Sequence, residues 1–530
     1  MFYLSVVVSS DYSAQAKETR TVTINTTAKR GTIYDRNGTV LAASVDATTV
    51  YCNPTEIEDE DKVASVVAEC LGGSADDYLE ALTKSNTTFA YIKRQGDVDA
   101  AKKLKEKKNE DLELLKGIYF LDDSRREYPN GEVAGQIVGI CDVDGNGICG
   151  LELEYDDVLK GENGEYVAER SMSGTQIPGA VQQNKEAKSG QDIMTTIDVS
   201  LQAQVEEYLK TYISKLGKKG SVILMDSSSG EIYSMCSYPY LNPSSPSESE
   251  SGSDNVTAIT QASEPGSTMK SVTALGLLQS GKMGIDDEIY CPYELKADEY
   301  TIKDSWERGS ETMSLDRIIT KSSNIGISLA SDRLGATGIY ENLQKSQILK
   351  KTGIDFPGEA AGYVQDVNTW SNVGRYNITF GQGISVTPLE TCRFYGAVCN
   401  NGVAVTPHFL LTKTQTGETF GSSEVDLGYS KEAINNLKTM LRDVVNNNSH
   451  VKAGIEGYDV CGKTATAEYS EDGKYVEQVY NIGFTGFLNN ASIPFVCYTG
   501  ITNASSSTNT TELFRDIMKV AIEKYSVVSG

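Results

Sequence analysis

The chain has 530 residues, of which 23% are charged and 39% hydrophobic, a composition typical of a globular protein with two or more domains. Its formal net charge of -25 argues against nucleic acid as a partner, because phosphates would be repelled. Only two histidines are present, His408 and His450, and neither lies in a motif. Any nucleophilic chemistry is therefore expected to use a lysine as its base.

The amino terminus is apolar at residues 2–8, which is far short of the ~20 residues that span a bilayer. It also lacks the basic region and cleavage site of a signal peptide. Residues 1–17 are therefore either the remnant of a membrane anchor with its juxtamembrane segment or the start of a first strand.

Residues 18–190 are predicted to form a mostly-β domain with inserted helices. Alternating apolar and polar residues predict strands at 21–25, 39–41 and 48–51, with a turn at 35–38. Amphipathic or charged helices are predicted at 63–71, 76–82 and 100–108. A glycine-rich turn at 137–150 resembles dinucleotide and calcium loops in spacing, but it lacks the βαβ context and the twelfth-position carboxylate that those sites need.

Ten cysteines are scattered through the chain without Cys-x-x-Cys spacing, which argues against zinc ribbons and thioredoxin-like sites. Cys141 and Cys149 flank the glycine-rich turn and would pair in an oxidising compartment. Buried free thiols are the alternative.

Residues 191–530 are predicted to form an antiparallel sheet covered by helices. Helices are expected at 201–216, 314–335, 337–349 and 512–525, and a hairpin at 221–226 and 231–238. Further strands are expected at 458–463, 480–488 and 493–501, with a turn at Asp472-Gly473. This order brings the first and last strands into one sheet. The polar stretch 241–255 is predicted to be a mobile surface loop beside the helix that begins near Ser267.

Three short motifs occur in this second region: Ser267-x-x-Lys270, Ser322-x-Asn324 and Lys463-Thr464-Ala465. The first begins an apolar helical run and places a hydroxyl and an amine one turn apart. The second interrupts a helical region, and the third ends a strand whose backbone can pair with an extended peptide. Each motif alone is explained by a helix cap or a polar strand end.

In this order the three motifs match the combination found in penicillin-binding proteins and serine β-lactamases. The chain resembles the class B penicillin-binding proteins, which are monofunctional peptidoglycan transpeptidases of septal division or cell elongation. The resemblance extends over nearly the whole chain, through 30–38, 126–129, 150–152, 196–202, 237–239, 358–359 and 380–384. The only literal Lys-Thr-Gly, at Lys351, corresponds to a loop of the family, so Lys463 is the better candidate.

The resemblance implies a role for each site residue. Ser267 would be the nucleophile, Lys270 its base and Ser322 a proton relay. Asn324 would hold Lys270 and the substrate amide, and Lys463 would lower the pKa of Lys270. With Lys463, Thr464 and Thr466 would bind the substrate carboxylate, while the methyl group of Ala465, in place of the usual glycine, would crowd a bound acyl chain. The N–H groups of Ser267 and Thr466 would form an oxyanion hole.

The implied protein is a pedestal (dimerisation-type) domain followed by a transpeptidase domain, acting on stem peptides that end in D-Ala-D-Ala and binding β-lactams. It would need no metal or organic cofactor. It would work with a membrane glycosyltransferase and with division or elongation proteins on the outer face of the bacterial membrane. Two alternatives remain open: a D,D-carboxypeptidase or β-lactam hydrolase on the same fold, and a catalytically weak scaffold of the division or elongation machinery.

Overall fold

The computed structural model describes residues 21–26, 28–170, 176–471 and 474–530. The predicted anchor remnant at 1–17 and the predicted turn at 472–473 lie outside these ranges. Within them, the helices are all too short or too polar to cross a membrane.

The strands are β1 (Thr21–Thr26), β2 (Ile33–Tyr34), β3 (Val40–Cys52), β4 (Ala90–Gly96), β5 (Ile118–Glu127), β6 (Gly164–Arg170), β7 (Gln176–Lys185), β8 (Ile193–Thr195), β9 (Lys219–Asp226), β10 (Ile232–Tyr238), β11 (Glu288–Cys291), β12 (Leu295–Ala297), β13 (Tyr300–Ile302), β14 (Glu311–Ser314), β15 (Tyr363–Val364), β16 (Ile384–Ser385), β17 (Val403–Val405), β18 (Leu410–Lys413), β19 (Glu424–Asp426), β20 (Asp459–Glu471), β21 (Lys474–Asn489) and β22 (Phe495–Ala504).

The α-helices are α1 (Glu60–Leu71), α2 (Asp76–Leu82), α3 (Val98–Glu110), α4 (Gly135–Val138), α5 (Gly150–Glu154), α6 (Asp156–Leu159), α7 (Val199–Leu216), α8 (Thr257–Thr260), α9 (Met269–Gln279), α10 (Leu315–Thr320), α11 (Asn324–Ser331), α12 (Gly335–Ser346), α13 (Asn372–Phe380), α14 (Pro388–Cys399), α15 (Lys431–Asn446) and α16 (Thr511–Tyr525). The predicted helix at 314–335 is thus two helices, α10 and α11, separated by a turn at Ser322, whose φ is +59°.

A five-stranded antiparallel sheet, in the order β10-β9-β22-β21-β20, is the centre of the second region. Residues 222–225 of strand β9 are all apolar, because both faces of the strand are covered there. Val222 and Leu224 pack in the core formed with α7 and α16, whereas Ile223 and Met225 belong to the core on the opposite face, with α9, α14 and α15. The predicted antiparallel sheet between helices is confirmed.

A second sheet joins the two halves of the chain. Its order is β18-β8-β2-β3-β4, and β5 pairs with β3 along ten residue positions. β2 and β8 pair in parallel, and β18, which comes from residues 410–413, pairs with β8 in antiparallel fashion. The remaining amino-terminal strands form a separate sheet, β1-β6-β7, and α1, α2 and α3 pack in a third core.

All ten cysteines lie in the described ranges, and all are free thiols. The predicted Cys141–Cys149 pairing is therefore wrong, and the alternative of free thiols holds. Burial raises the pKa of Cys141 to about 12, with the neighbouring Glu152 carboxylate adding to the shift. This thiol is protonated at neutral pH and is a poor nucleophile.

Candidate active site

The predicted nucleophile lies in the turn that leads into α9. Residues Gly266–Thr268 form one 3-10 turn, and α9 follows without a break. Gly266 has a φ of +57°, and a Cβ atom built there would lie 2.9 Å from the main-chain oxygen of Thr466. Only glycine fits this position without strain. The turn is thereby held against strand β20 with Ser267 next to the Thr466 backbone.

Lys270 follows one turn later and is fully buried. Its Nζ lies within hydrogen-bond distance of Ser267 Oγ (3.0 Å), Ser322 Oγ (3.0 Å) and the main-chain oxygen of Ser322 (2.6 Å). The left-handed backbone of Ser322 turns both of its oxygens toward this amine. Such a conformation is uncommon outside glycine and often occurs at functional sites.

Lys463 reaches the same hydroxyl from the other side. It is fully buried in β20, and its Nζ donates to Ser322 Oγ at 2.9 Å. The order of contacts is therefore Ser267, Lys270, Ser322, Lys463, with each neighbouring pair within hydrogen-bond distance. Four residues that are up to 196 positions apart in the sequence form one continuous chain of polar groups.

Both amines are driven toward their neutral forms. Burial lowers the pKa of Lys270 well below its usual range, and the neighbouring Lys463 lowers it further, while Asp304 opposes the shift. Burial alone lowers the pKa of Lys463 to about 7. A neutral amine next to a serine hydroxyl is the arrangement that activates such a nucleophile.

The residues after Lys463 line the edge of the sheet. Because strand side chains alternate, Thr464 and Thr466 share one face and Ala465 shares the other with Lys463. Thr464 is half-buried and Thr466 is exposed. Ala465 lines a small cavity of about 40 Å³ together with Pro265 and Thr268. Its methyl group therefore occupies space beside the nucleophile turn, on the face opposite the two threonines.

The sequence matches two known protein families over most of its length. Residues 220–519, more than half of the chain, match the family described as "Penicillin binding protein transpeptidase domain", and residues 25–195 match "Penicillin-binding Protein dimerisation domain". The chain belongs to the penicillin-binding protein transpeptidase family. The two matches in this order make it a class B penicillin-binding protein, as its sequence motifs predict.

Individual relatives agree over most of their length. The chain is 28% identical over 500 residues to peptidoglycan D,D-transpeptidase FtsI of Escherichia coli K12, covering 92% of this chain and 81% of the relative. It is 29% identical over 511 residues to stage V sporulation protein D of Bacillus subtilis, covering 94% and 78%. The structure of penicillin-binding protein 2X from Streptococcus thermophilus has the same fold, with a TM-score of 0.78 at 22% identity, covering 95% of this chain and 81% of that one.

Asn324 of this penicillin-binding protein is placed differently from the expectation. Its side-chain amide donates to the main-chain oxygen of Lys303 (3.0 Å). In the part of the chain that the structure describes, it makes no hydrogen bond to Lys270. Asn324 is the first residue of α11, and its side-chain amide links this helix to the segment around Lys303.

The literal Lys351-Thr352-Gly353 sequence serves a structural role. Glu359 accepts hydrogen bonds from the Thr352 N–H (2.5 Å) and hydroxyl (2.6 Å) and from the Gly353 N–H (3.1 Å). The segment is a loop closed by one carboxylate and does not belong to a strand. The preference for Lys463 as the site lysine agrees with this placement.

Sequence motifs do not point to Asp304, yet it positions the Ser322 loop. Its buried carboxylate accepts hydrogen bonds from Ser323 Oγ (2.8 Å) and the Ile325 N–H (3.1 Å), and it forms an ion pair with Arg308 (2.6 Å). Ser322 lies between these anchors and the two lysines. The Asp304 carboxylate thus holds the Ser322 loop in place through Ser323 and Ile325. It also stabilises the charged form of Lys270.

Replacing Asp304 by asparagine is expected to slow acylation of Ser267 about 10–100-fold, because Arg308 loses its buried counter-ion and the Ser322 loop loses its anchor. The pKa of Lys270 should fall further without the neighbouring carboxylate, so the acid limb of the rate profile should move to lower pH. The measurement is the acylation rate by a fluorescent penicillin between pH 5 and 9. Asp332→Asn, which removes a partly exposed partner of Arg375, is the matched control. If acylation is slower but its pH profile does not move, Asp304 has only a structural role.

Proposed function

We propose that the protein is a serine-type peptidoglycan D,D-transpeptidase that cross-links stem peptides through an acyl-enzyme on Ser267. The observation that carries this proposal is the 3.0 Å hydrogen bond between Ser267 and a fully buried Lys270 whose pKa is lowered. The names of relatives such as the D,D-transpeptidase FtsI support the same reaction. The predicted domains at 18–190 and 191–530 would serve as pedestal and catalytic domain, respectively.

Acylation would begin with neutral Lys270. As Ser267 Oγ attacks the carbonyl carbon of the penultimate D-Ala, the proton of its hydroxyl passes to Lys270 Nζ. The carbonyl oxygen becomes an oxyanion, which the N–H groups of Ser267 and Thr466 would stabilise; donors of this kind contribute about 3 kcal/mol each. Together with Lys463, the half-buried Thr464 and the exposed Thr466 would bind the terminal carboxylate.

The leaving group needs a proton, and the chain of polar groups supplies a route. Ser322 Oγ lies 3.0 Å from Lys270 Nζ and 2.9 Å from Lys463 Nζ. A proton can therefore move from Lys270 through Ser322 to the departing D-Ala amine as the C–N bond breaks. In the second half, an amine from another stem peptide attacks the acyl-enzyme, its proton returns by the same route, and Ser267 is released.

Labelling with a fluorescent penicillin tests the proposal. The wild-type protein should become covalently labelled, and Ser267→Ala should show no labelling, because the acyl bond has no oxygen to form on. Ser280→Ala, at the other end of α9, is the matched control and should label normally. Labelling that persists in Ser267→Ala would reject this nucleophile.

The acceptor is tested separately with a donor stem peptide and a free D-amino acid. Transpeptidation predicts exchange of the terminal D-Ala for the added amino acid. Hydrolysis without exchange would favour the D,D-carboxypeptidase alternative. Absence of both, together with absence of penicillin labelling, would favour the scaffold.

The resemblance also implies a location and partners, and we propose both. The catalytic domain would lie on the outer face of the bacterial membrane, beside a membrane glycosyltransferase that polymerises the glycan and with division or elongation proteins. Co-purification of that glycosyltransferase with the protein from solubilised membranes is the expected result. Recovery of the protein without it would count against the partnership.

A further inference from the structure

The proposed carboxylate pocket on β20 has little positive charge of its own above neutral pH. Lys463 is fully buried, and burial lowers its pKa to about 7, so its amine is largely neutral above that pH. Thr464 and Thr466 contribute only neutral hydroxyl groups. Because the whole chain carries a net charge of -25, it attracts an anionic substrate only where cations are concentrated locally.

An irregular loop at residues 447–453, between α15 and β20, lies against the turn of Ser322. Its Asn448 is buried, and Asn448 Nδ2 donates to the main-chain oxygen of Thr320 (2.9 Å). Asn448 Oδ1 accepts from the Nζ of Lys321 (3.3 Å), the residue directly before Ser322. The loop is thus bound to the segment that carries the proposed proton relay, and one of the two contacts is made by a lysine.

The other side of the loop is held at the start of α16. The main-chain oxygen of His450 accepts from Asn509 Nδ2 (3.1 Å), and the N–H of Lys452 donates to Thr511 Oγ1 (3.0 Å). His450 and Lys452 are both exposed. Since the loop is bound on both sides, these two residues are presented to solvent from a fixed backbone.

The electrostatics of His450 relate this loop to the lysines of the site. Partial burial of the ring lowers the pKa of His450 below its usual 6.5, and Lys463, Lys321 and Lys452 each lower it further. The ring therefore lies close enough to all three amines to be affected by their charge. We call Lys321, His450 and Lys452 the basic rim, which lies beside Lys463 and outside the three sequence motifs.

Building on the proposed transpeptidase reaction, we propose that the basic rim attracts and orients the terminal carboxylate of the donor peptide, with Lys321 and His450 as specificity-determining residues. Lys321 supplies a positive charge, and the ring of His450 supplies an N–H donor. Hydrogen bonds from a charged donor to a carboxylate are about twice as strong as neutral ones. The rim thus provides the charge that Lys463 loses above neutral pH.

Acylation by benzylpenicillin and by its methyl ester tests the proposal, because the two compounds differ only at the carboxylate beside the reactive amide. The wild-type protein should prefer the acid, and the ratio of the two second-order acylation rate constants at pH 7.5 measures this preference. Lys321→Gln and His450→Gln should each lower the ratio about three- to tenfold. Lys321→Arg keeps the charge and should keep most of the preference. Raising the ionic strength should lower the wild-type ratio, because salt screens exposed charges.

The ratio separates carboxylate recognition from a general disturbance of the site. Lys519→Gln, which changes an exposed lysine on α16, is the matched control and should leave the ratio unchanged. The proposal is overturned if Lys321→Gln and His450→Gln both keep the wild-type ratio, or if they slow acylation by the acid and the ester equally. Absence of wild-type acylation by either compound would instead reject the proposed function, and this proposal with it.

Discussion

Replacing Lys270 by methionine is expected to slow acylation of Ser267 by about a thousandfold or more, since a positioned base contributes on the order of 10²–10⁴ and removal of the amine also ends the proton route to Ser322. Methionine fills much of the buried volume of the lysine chain and adds no charge. The fold should therefore persist, and the time course of labelling by a fluorescent penicillin measures the loss.

The role of Lys270 as the base also predicts how the acylation rate of the wild-type protein depends on pH. Lys270 can accept a proton only when it is neutral, and its pKa is lowered by burial and by Lys463. The acylation rate should therefore fall as pH decreases through that lowered pKa and should level off above it. Lys438→Met is the matched control, because Lys438 is another buried lysine with a lowered pKa but donates to Cys399 and Asn401, away from Ser267. Near-normal acylation by Lys270→Met would reject Lys270 as the base.

Replacing Lys463 by methionine should have opposite effects on stability and activity. Burial lowers the pKa of Lys463 from 10.5 to about 7 in the folded protein, so between these values the unfolded chain binds the proton that the folded chain has lost. Wild-type stability then increases with pH across this window, and the buried amine costs most below pH 7. Removing it should raise the free energy of unfolding by about 2–4 kcal/mol near pH 6.

Thermal denaturation at pH 6, 8 and 10 measures this effect. The apparent Tm of Lys463→Met should exceed that of the wild type at pH 6, and the difference should shrink toward pH 10. Acylation should fall about a hundredfold because Ser322 Oγ loses its 2.9 Å donor. A lower Tm than the wild type at pH 6 would mean that the hydrogen bond outweighs the cost of burying the amine.

Local sequence patterns were sufficient to predict the helix that begins near Ser267, whereas the assignment of Ser267 as the proposed nucleophile needed the order of all three motifs and the family resemblance. Pro265 and Gly266 interrupt regular secondary structure just before Ser267. The apolar run after Ser267 forms α9, which is buried along almost its whole length. The spacing of Ser267 and Lys270 then fixes their contact, because residues three apart lie on one helical face. The antiparallel sheet between helices was predicted from the same kind of local pattern.

Other parts of the site depend on tertiary contacts that no motif encodes. Asp304 lies 18 residues before Ser322 in an irregular segment, and its role appears only once the fold brings it behind Ser323. The side-chain amide of Asn324 donates to the main chain of Lys303, which belongs to the same segment. The small cavity around Ala465 likewise depends on how the nucleophile turn packs against β20.

The pairing of β18 with β8 has a mechanical consequence. If only a single linker joined the two domains, each domain would respond to an applied force independently of the other. Here β2, β8 and β18 lie side by side, so tension applied to the amino-terminal domain along these strands loads their hydrogen bonds in shear and all at once. A pull on the amino-terminal domain would therefore act on residues 410–413 through the hydrogen bonds between β2, β8 and β18.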